Sequence, residues 1–125
     1  MLSIRRDGGV VTVRLPADVD AANADSLAEE VAVGVGNESL GVVLDLSPTR
    51  YLDSAGVDML FRLHERMQAR RQRLHLVAPQ DSPLWHILRI VAMADVMPVH
   101  DDLDGAVAAA AGDSAQARGS AAEPG

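Results

Sequence analysis

Hydrophobic and polar positions change their period several times along the chain, and each period predicts an element. Residues 10–15, VVTVRL, alternate as a strand with one buried face does. Asp7-Gly8-Gly9 stands before them and supplies the positive-φ residues of a tight hairpin turn, so residues 1–6 pair as a second, antiparallel strand. After Pro16, the residues Ala21, Leu27, Val31 and Val35 recur at roughly helical spacing, predicting a helix over 22–33 that Gly34 and Gly36 close. GVVLDL, residues 41–46, is a short and almost continuous apolar run, which suits a strand covered on both faces. From 54 to about 71 the stripe Val57, Leu60, Phe61, His64 and Met67, widened by Leu63, predicts an amphipathic helix, with Arg66, Arg70 and Arg71 at the negative end of its dipole. RLHLVA, residues 73–78, reads as a further strand. Ser82-Pro83 then reads as a cap and first-turn proline of a helix reaching about 91, burying Leu84, Ile87, Leu88 and Val91. Residues 96–100 suit one more short strand, and 101 to about 111 a last helix begun by acidic residues. Residues 112–125, rich in Ala, Gly and Ser, have no apolar stripe to bury and are expected to form a disordered tail.

Strands alternating with helices imply parallel pairing through right-handed crossovers. The fold class is therefore α/β: a single domain over 1–111, with a mixed four- to five-stranded sheet and covering helices. A chain of 125 residues is long enough to bury one core. With only Tyr51, Phe61 and Trp85 as aromatics, that core is aliphatic.

Composition removes several kinds of chemistry. There is no Cys, which excludes disulfide scaffolds, thiolate metal sites and cysteine nucleophiles and fits a reducing, cytoplasmic setting. All 11 basic residues are Arg. Without Lys there is no Walker-type phosphate loop and no Schiff-base chemistry. A net charge of −7 opposes binding to nucleic acid or anionic membrane, and no run approaches the length of a membrane span.

In open α/β sheets, function gathers where loops leave the carboxyl ends of parallel strands. Two such loops are legible, 16–23 and 47–54, and they carry Asp18, Asp20, Asp53 and Ser54. For Ser54 the ordinary reading is a helix N-cap, a role worth about 1 kcal/mol. Gly56 strains that reading, because glycine in a first turn costs up to about 1 kcal/mol against alanine and leaves the backbone open to close approach by another molecule. As a nucleophile Ser54 lacks the glycine two residues earlier, where Leu52 stands, and no His is placed by the sequence as its base. His64 falls on the buried stripe and His75 inside a strand, while His86 and His100 are expected at the surface; no pair has metal-ligand spacing. As a phosphoacceptor Ser54 is better placed, since a helix N-terminus tolerates added negative charge.

The run VVLDLSPTRYLDSAGVDML resembles the signature of STAS domains, specifically the anti-sigma factor antagonists of bacteria: a buried strand, a short loop, Asp-Ser-(Ser/Thr/Ala)-Gly and an apolar helix. RLPADVDAANADSLAEEV resembles that family's Gly-x-x-Asp-x-x-(Asn/Thr)-Ala segment, with Pro16-Ala17 in place of the usual glycine. The resemblance continues through LHLVAPQDSPLWHILRIVAMADVMPVHDDLDGAV, where Ala94 replaces an expected glycine. It implies that Ser54 is phosphorylated by an anti-sigma factor that is an ATP-dependent serine kinase, with Asp20, Asn23, Asp53 and Gly56 around the acceptor. It further implies that the unphosphorylated protein binds the anti-sigma factor and frees a sigma factor in a stress response, and that a phosphatase resets the switch. The protein then needs no cofactor of its own, Mg-ATP belonging to the kinase, and it is a substrate and competitor instead of an enzyme. Ala55, Val57, Asp58 and Met59 would flank the contact surface, joined by Asp18 and Arg50 from the loops. For Met59 and Trp85 core packing is the commoner role. Within the fold, the alternatives are an accessory subunit of a lipid-transport ABC system and a signalling scaffold; outside it, a small serine hydrolase.

Overall fold

The computed structural model describes residues 2–92 and 97–122, with side chains over 2–90 and 97–112. Strands β1 (Ser3–Asp7) and β2 (Val10–Arg14) form the hairpin, closed by the pair Asp7↔Val10. Gly8 and Gly9 have φ of 55° and 87°, the two positive values that a primed turn demands. After the two-residue strand β3 (Asp18–Val19) and helix α1 (Ala24–Val35), β4 (Gly41–Asp45) returns parallel to β2. A second two-residue strand, β5 (Tyr51–Leu52), leads into helix α2 (Ser54–Ala69), and β6 (Arg73–Val77) lies parallel to β4. Helix α3 (Trp85–Ala92), strand β7 (Val99–His100) and helix α4 (Leu103–Ala122) complete the order. The main sheet runs β1-β2-β4-β6-β7, antiparallel at its first pair and parallel in the rest, while β3 and β5 pair only with each other. The fold is thus the mixed α/β sheet with covering helices that the alternation predicts.

The two faces of the sheet differ in what covers them. Alternate residues Val11, Val13, Val42, Leu44, Leu74 and Leu76 face α1 and α2, and with Val31, Leu60, Leu63 and Met67 make the main core. The opposite residues Val10, Val43 and Val77 meet Ala106 and Ala110 of α4. Small side chains let this helix come close: a Cβ on Gly41 would lie 2.5 Å from the carbonyl oxygen of Ala110. β4 is buried along its whole length, as a strand covered on both sides must be.

Helices α1 and α2 are tied together by arginines. Arg62 reaches Asp25 at 3.0 Å and Arg66 reaches Glu29 at 2.9 Å, and this guanidinium holds the Glu29 carboxyl below its ordinary range. Arg70 donates to the carbonyls of Ala32 and Gly36 at 2.9 and 3.2 Å, so it satisfies the C-terminal end of α1, not the end of its own helix. α2 itself ends in a Schellman motif: Gln72 N–H bonds Met67 O, Arg71 N–H bonds Gln68 O, and Arg71 takes a positive φ of 61°.

Several elements differ from the pattern-based expectation. α1 starts at Ala24, not at 22, because Asp20–Asn23 form a turn that accepts the N–H groups of Asn23 and Ala24 on the Asp20 carbonyl; Ala21 is exposed. It also runs through Gly34, where a side chain would collide with Ile4 of β1. The buried stripe of α2 is rotated onto Met59, Leu60, Leu63 and Met67, leaving Val57, Phe61 and His64 half-buried. α3 starts at Trp85, because the Ser82 hydroxyl accepts from Leu84 N–H at 3.1 Å and holds a turn ahead of it. Leu84 and Leu88 are buried and Trp85 packs half-buried on the core, whereas Ile87 is 41% exposed. His100 is half-buried, its Nε2 3.0 Å from Nδ1 of buried His75, a spacing at which one proton bridges the two rings. α4 runs Leu103–Ala122 and so includes residues expected from 112 to be irregular; alanine is the strongest helix former. The side chain of Val91 and residues Ala94 and Val96 lie outside the described residues. Among the described residues no helix is long and apolar enough to cross a membrane.

Gly41 offers a test of the α4 contact. Replacing a strand glycine by alanine ordinarily strengthens the strand. Here Gly41→Ala pushes a Cβ into the Ala110 carbonyl and is expected to destabilise the protein by about 1–3 kcal/mol, read from urea unfolding midpoints.

Candidate functional site: the clasped loops at the head of α2

The two loops singled out by the sequence are joined by main-chain hydrogen bonds. β3 and β5 pair in parallel with Asp18 opposite Tyr51 and Val19 opposite Leu52. The N–H groups of Arg50 and Tyr51 both donate to Ala17 O, at 2.8 and 3.1 Å, and Asp53 N–H donates to Val19 O at 3.3 Å. The Thr49 hydroxyl, itself buried, donates to Pro16 O at 2.8 Å and ties the second loop to the first. The first loop is braced from within. Asn23 accepts from Asp20 N–H and donates to Asp18 O, both at 2.9 Å, and the Asp20 carboxylate accepts from Ala22 N–H at 2.9 Å. Asn23 stands at the N-cap position of α1 but makes no side-chain cap bond; its amide is spent on the loop.

The cap of α2 is Asp53, not Ser54. The backbone of Asp53 is extended, with φ −93° and ψ −172°, and its carboxylate accepts from Gly56 N–H at 3.0 Å. Ser54 is therefore the first helical residue, and it is exposed. Gly56 is explained by the chain itself. A Cβ there would lie 2.8 Å from Val19 O and 2.5 Å from Leu52 Cδ1, so the close approach is made by the clasp and not by another molecule, and Gly56 is buried.

Of the remaining residues predicted to surround the acceptor, Asp18, Arg50 and Asp58 are exposed, and Asp20, Ala55 and Val57 are half-buried. Asp58 pairs with Arg62 Nε at 3.0 Å one turn along the helix. Met59 corrects an expectation: it is 0% exposed, a main-core residue between the sheet and α2, and offers nothing to a partner in this conformation. Helical geometry requires this, since Met59 and Leu63 share the face that points at the sheet.

Two supporting residues escape a search for charged loop positions. Thr49 closes the clasp, and buried Asp45 accepts from Ser47 N–H and Oγ at 2.9 and 2.6 Å while lying 3.5 Å from Arg14 Nε. The Asp-x-Ser spacing of 45 and 47, a common turn signature, is the signal that could have found the second.

The site thus presents a hydroxyl at the positive end of a 16-residue helix, whose cap carboxylate is already engaged by Gly56 N–H. The N–H groups of a helix's first residues have no intrahelical acceptor, which leaves this end receptive to an anion. No histidine hydrogen-bonds Ser54 among the described residues, and among them no three His, Asp or Glu side chains converge as metal ligands.

The fold is shared with solved structures of low sequence identity. An anti-sigma factor antagonist from Mycobacterium paratuberculosis is 21% identical, aligning 88% of this chain with 92% of that one at a TM-score of 0.75. The Bacillus cell fate determinant SpoIIAA in its phosphorylated form is 14% identical, aligning 86% of this chain with 96% of that one at a TM-score of 0.62. Part of the murine Slc26a9 anion transporter, in its inward-facing state, is 19% identical and aligns with 85% of this chain, which spans only 18% of the transporter, at a TM-score of 0.69. The STAS domain family model matches residues 1–106, most of the chain, and with the sheet order and the clasped Asp53-Ser54-Ala55-Gly56 turn in view the chain belongs to the STAS domain family.

Proposed function

We propose that this protein is an anti-sigma factor antagonist controlled by phosphorylation of Ser54. In the unphosphorylated state it binds a kinase-type anti-sigma factor and so releases a sigma factor. The kinase, holding Mg-ATP, transfers the γ-phosphoryl group to Ser54 Oγ with loss of the hydroxyl proton and departure of ADP. A phosphoserine phosphatase reverses the step. The chain itself is a substrate and competitor, not a catalyst, and acts in the cytoplasm without touching nucleic acid or membrane.

The observation that carries this reading is the exposure of Ser54 at the first helical position, beside a cap that is already satisfied. A hydroxyl so placed can be reached by a docking enzyme, and a phosphate on it meets the positive end of α2. The modification adds about −1.5 to −2 charges to a surface that already carries Asp18, Asp53 and Asp58. A partner surface fitted to a neutral hydroxyl then faces a dianion among carboxylates, and the complex opens. The contact surface, with Met59 removed from it, consists of Ser54, Ala55, Val57 and Asp58 with Asp18 and Arg50. Support also comes from the solved relatives, which include an anti-sigma factor antagonist and a SpoIIAA structure in phosphorylated form.

With a cognate kinase-type anti-sigma factor and Mg-ATP, wild type should take up a single phosphoryl group, read by intact mass. Ser54→Ala should take up none while still binding the partner. Labelling of the alanine variant at the wild-type rate would refute the assignment. Ser54→Asp should weaken partner binding at least tenfold, about 1.4 kcal/mol, by titration calorimetry. The two roles of Asp53 should also separate. Asp53→Ala removes the cap and should lower stability by about 1 kcal/mol, whereas Asp53→Asn keeps a capping oxygen and should leave the urea midpoint nearly unchanged while removing the charge beside the acceptor.

A further inference from the structure

The far face of the sheet is only partly covered. Helix α4 lies over β2, β4, β6 and β7, while β1 runs beside it with every residue exposed. Between the hairpin and the helix is a cavity of about 540 Å³, inside the range of small-molecule sites. Its two sides differ in chemistry. Arg5, Asp7 and Thr12 of the hairpin supply a polar floor, and Val107, Ala108 and Ala111 of α4 an apolar wall. Buried Val10 closes the floor against that wall.

The charged groups of the cavity divide into those already engaged and those that are not. Arg14, at one end, lies 3.5 Å from buried Asp45, which also accepts from Ser47. That pair is self-contained. Arg5, Asp7 and Asp104 also line the cavity, and none of them makes a side-chain hydrogen bond or ion pair among the described residues. A ligand with only a negative charge would meet Arg5 but also two carboxylates, in a chain of net charge −7. One with only a positive charge would meet Arg5. A zwitterion answers both signs. Its size follows from the spacing of Arg5 and Asp7, which are two residues apart on one face of β1, with Cα atoms about 6.8 Å apart. The ammonium and carboxylate of a free amino acid share one carbon and are only about 2.5 Å apart, whereas the ends of two extended residues are about 7 Å apart.

We propose that this cavity binds a zwitterionic dipeptide with aliphatic side chains. Its carboxylate takes the Arg5 guanidinium, with the Thr12 hydroxyl directly across the ladder as a second donor. Its ammonium takes Asp7. Ala110 stands over Gly41, the ladder partner of Val10, and Val10 is in turn the partner of Asp7. The wall of α4 therefore runs along the row that holds the ammonium, where Ala108 and Ala111 leave room for an aliphatic side chain to lose contact with water.

The test is calorimetric titration of the full chain with L-leucyl-L-leucine, for which a Kd between about 10 µM and about 1 mM is expected. The N-acetylated dipeptide, the C-terminal amide and free leucine should each bind at least tenfold more weakly. Two variants at exposed positions identify the groups that read each charge. Arg5→Gln should bind the dipeptide and its amide equally, and Asp7→Asn should bind the dipeptide and its acetylated form equally, both with an unchanged circular dichroism spectrum. Ala108→Trp, on the exposed side of the wall, should abolish binding without moving the urea midpoint. Absence of heat up to about 10 mM dipeptide, free leucine binding as tightly as the dipeptide, or variants that still discriminate against the amide and acetylated forms as wild type does would overturn the proposal. The cavity and α2 lie on opposite faces of the sheet, so neither result bears on phosphorylation of Ser54, and each reading can fail without the other.

Discussion

The carbonyl of Val19 sits where the side chain of residue 56 would be, and the placement of the site depends on that exclusion. Val19 accepts from Asp53 N–H in the short β3–β5 pair, and the same oxygen lies against the first turn of α2. The clasp therefore holds the cap residue by its amide while the helix it starts is pressed onto the clasp. Two loops that leave neighbouring strands become one surface, and the first helical residue is carried on it. The strands are only two residues long, so their own hydrogen bonds do not hold the arrangement alone. Buried Thr49, bonded to Pro16, and Asn23, bonded within the first loop, make up the difference.

The same use of small residues recurs on the far face of the sheet. Gly41 admits the backbone of α4 as Gly56 admits that of β3, and Ala106 and Ala110 continue the close approach. The near face is built otherwise, with bulky aliphatics inside and arginines outside. Arg62, Arg66 and Arg70 cross from α2 to α1, the last to the Ala32 and Gly36 carbonyls at its C-terminus. Exposed ion pairs of this kind add little stability each. Their geometric effect is larger, because they fix how α2 lies along α1 and hence where its N-terminus projects.

The strands of the main sheet, the hairpin and the existence of all four helices were legible in the sequence because burial on one or two faces leaves a period in the residue types, whereas the two-residue strands β3 and β5 were read as loops. β4 is the clearest case, its unbroken apolar run matching burial of every residue. What was not legible depends on contacts distant in the chain. The rotation of α2 onto Met59 is set by the sheet beneath it, and its apolar stripe is broad enough to allow either face. The start of α1 is displaced by hydrogen bonds of Asp20, and the bare position at Gly34, which the helix passes through, leaves room for Ile4, thirty positions earlier. At the site, sequence found Asp53 and Ser54 together but gave the cap to the wrong member, since serine and aspartate cap equally well and only the backbone angles decide.

That exchange of roles bears on how the hydroxyl can work. An N-cap serine has its oxygen committed to an amide one turn into the helix, and its side chain lies across the helix end instead of outward. With Asp53 taking Gly56 N–H, the following residue is relieved of capping and its Oγ faces solvent. Reversing the order of the two residues would leave a helix of similar stability, yet the hydroxyl would be tied down and a carboxylate would stand in its place. The adjacency of Asp and Ser in this order is therefore a division of labour: one oxygen holds the end of the helix, and the other is left free on a surface whose position that hold secures. Under the proposed phosphorylation, a phosphate on the free oxygen would change the charge of the surface without removing the bond that shapes it, so the proposed switch would be set and reset on an unchanged fold.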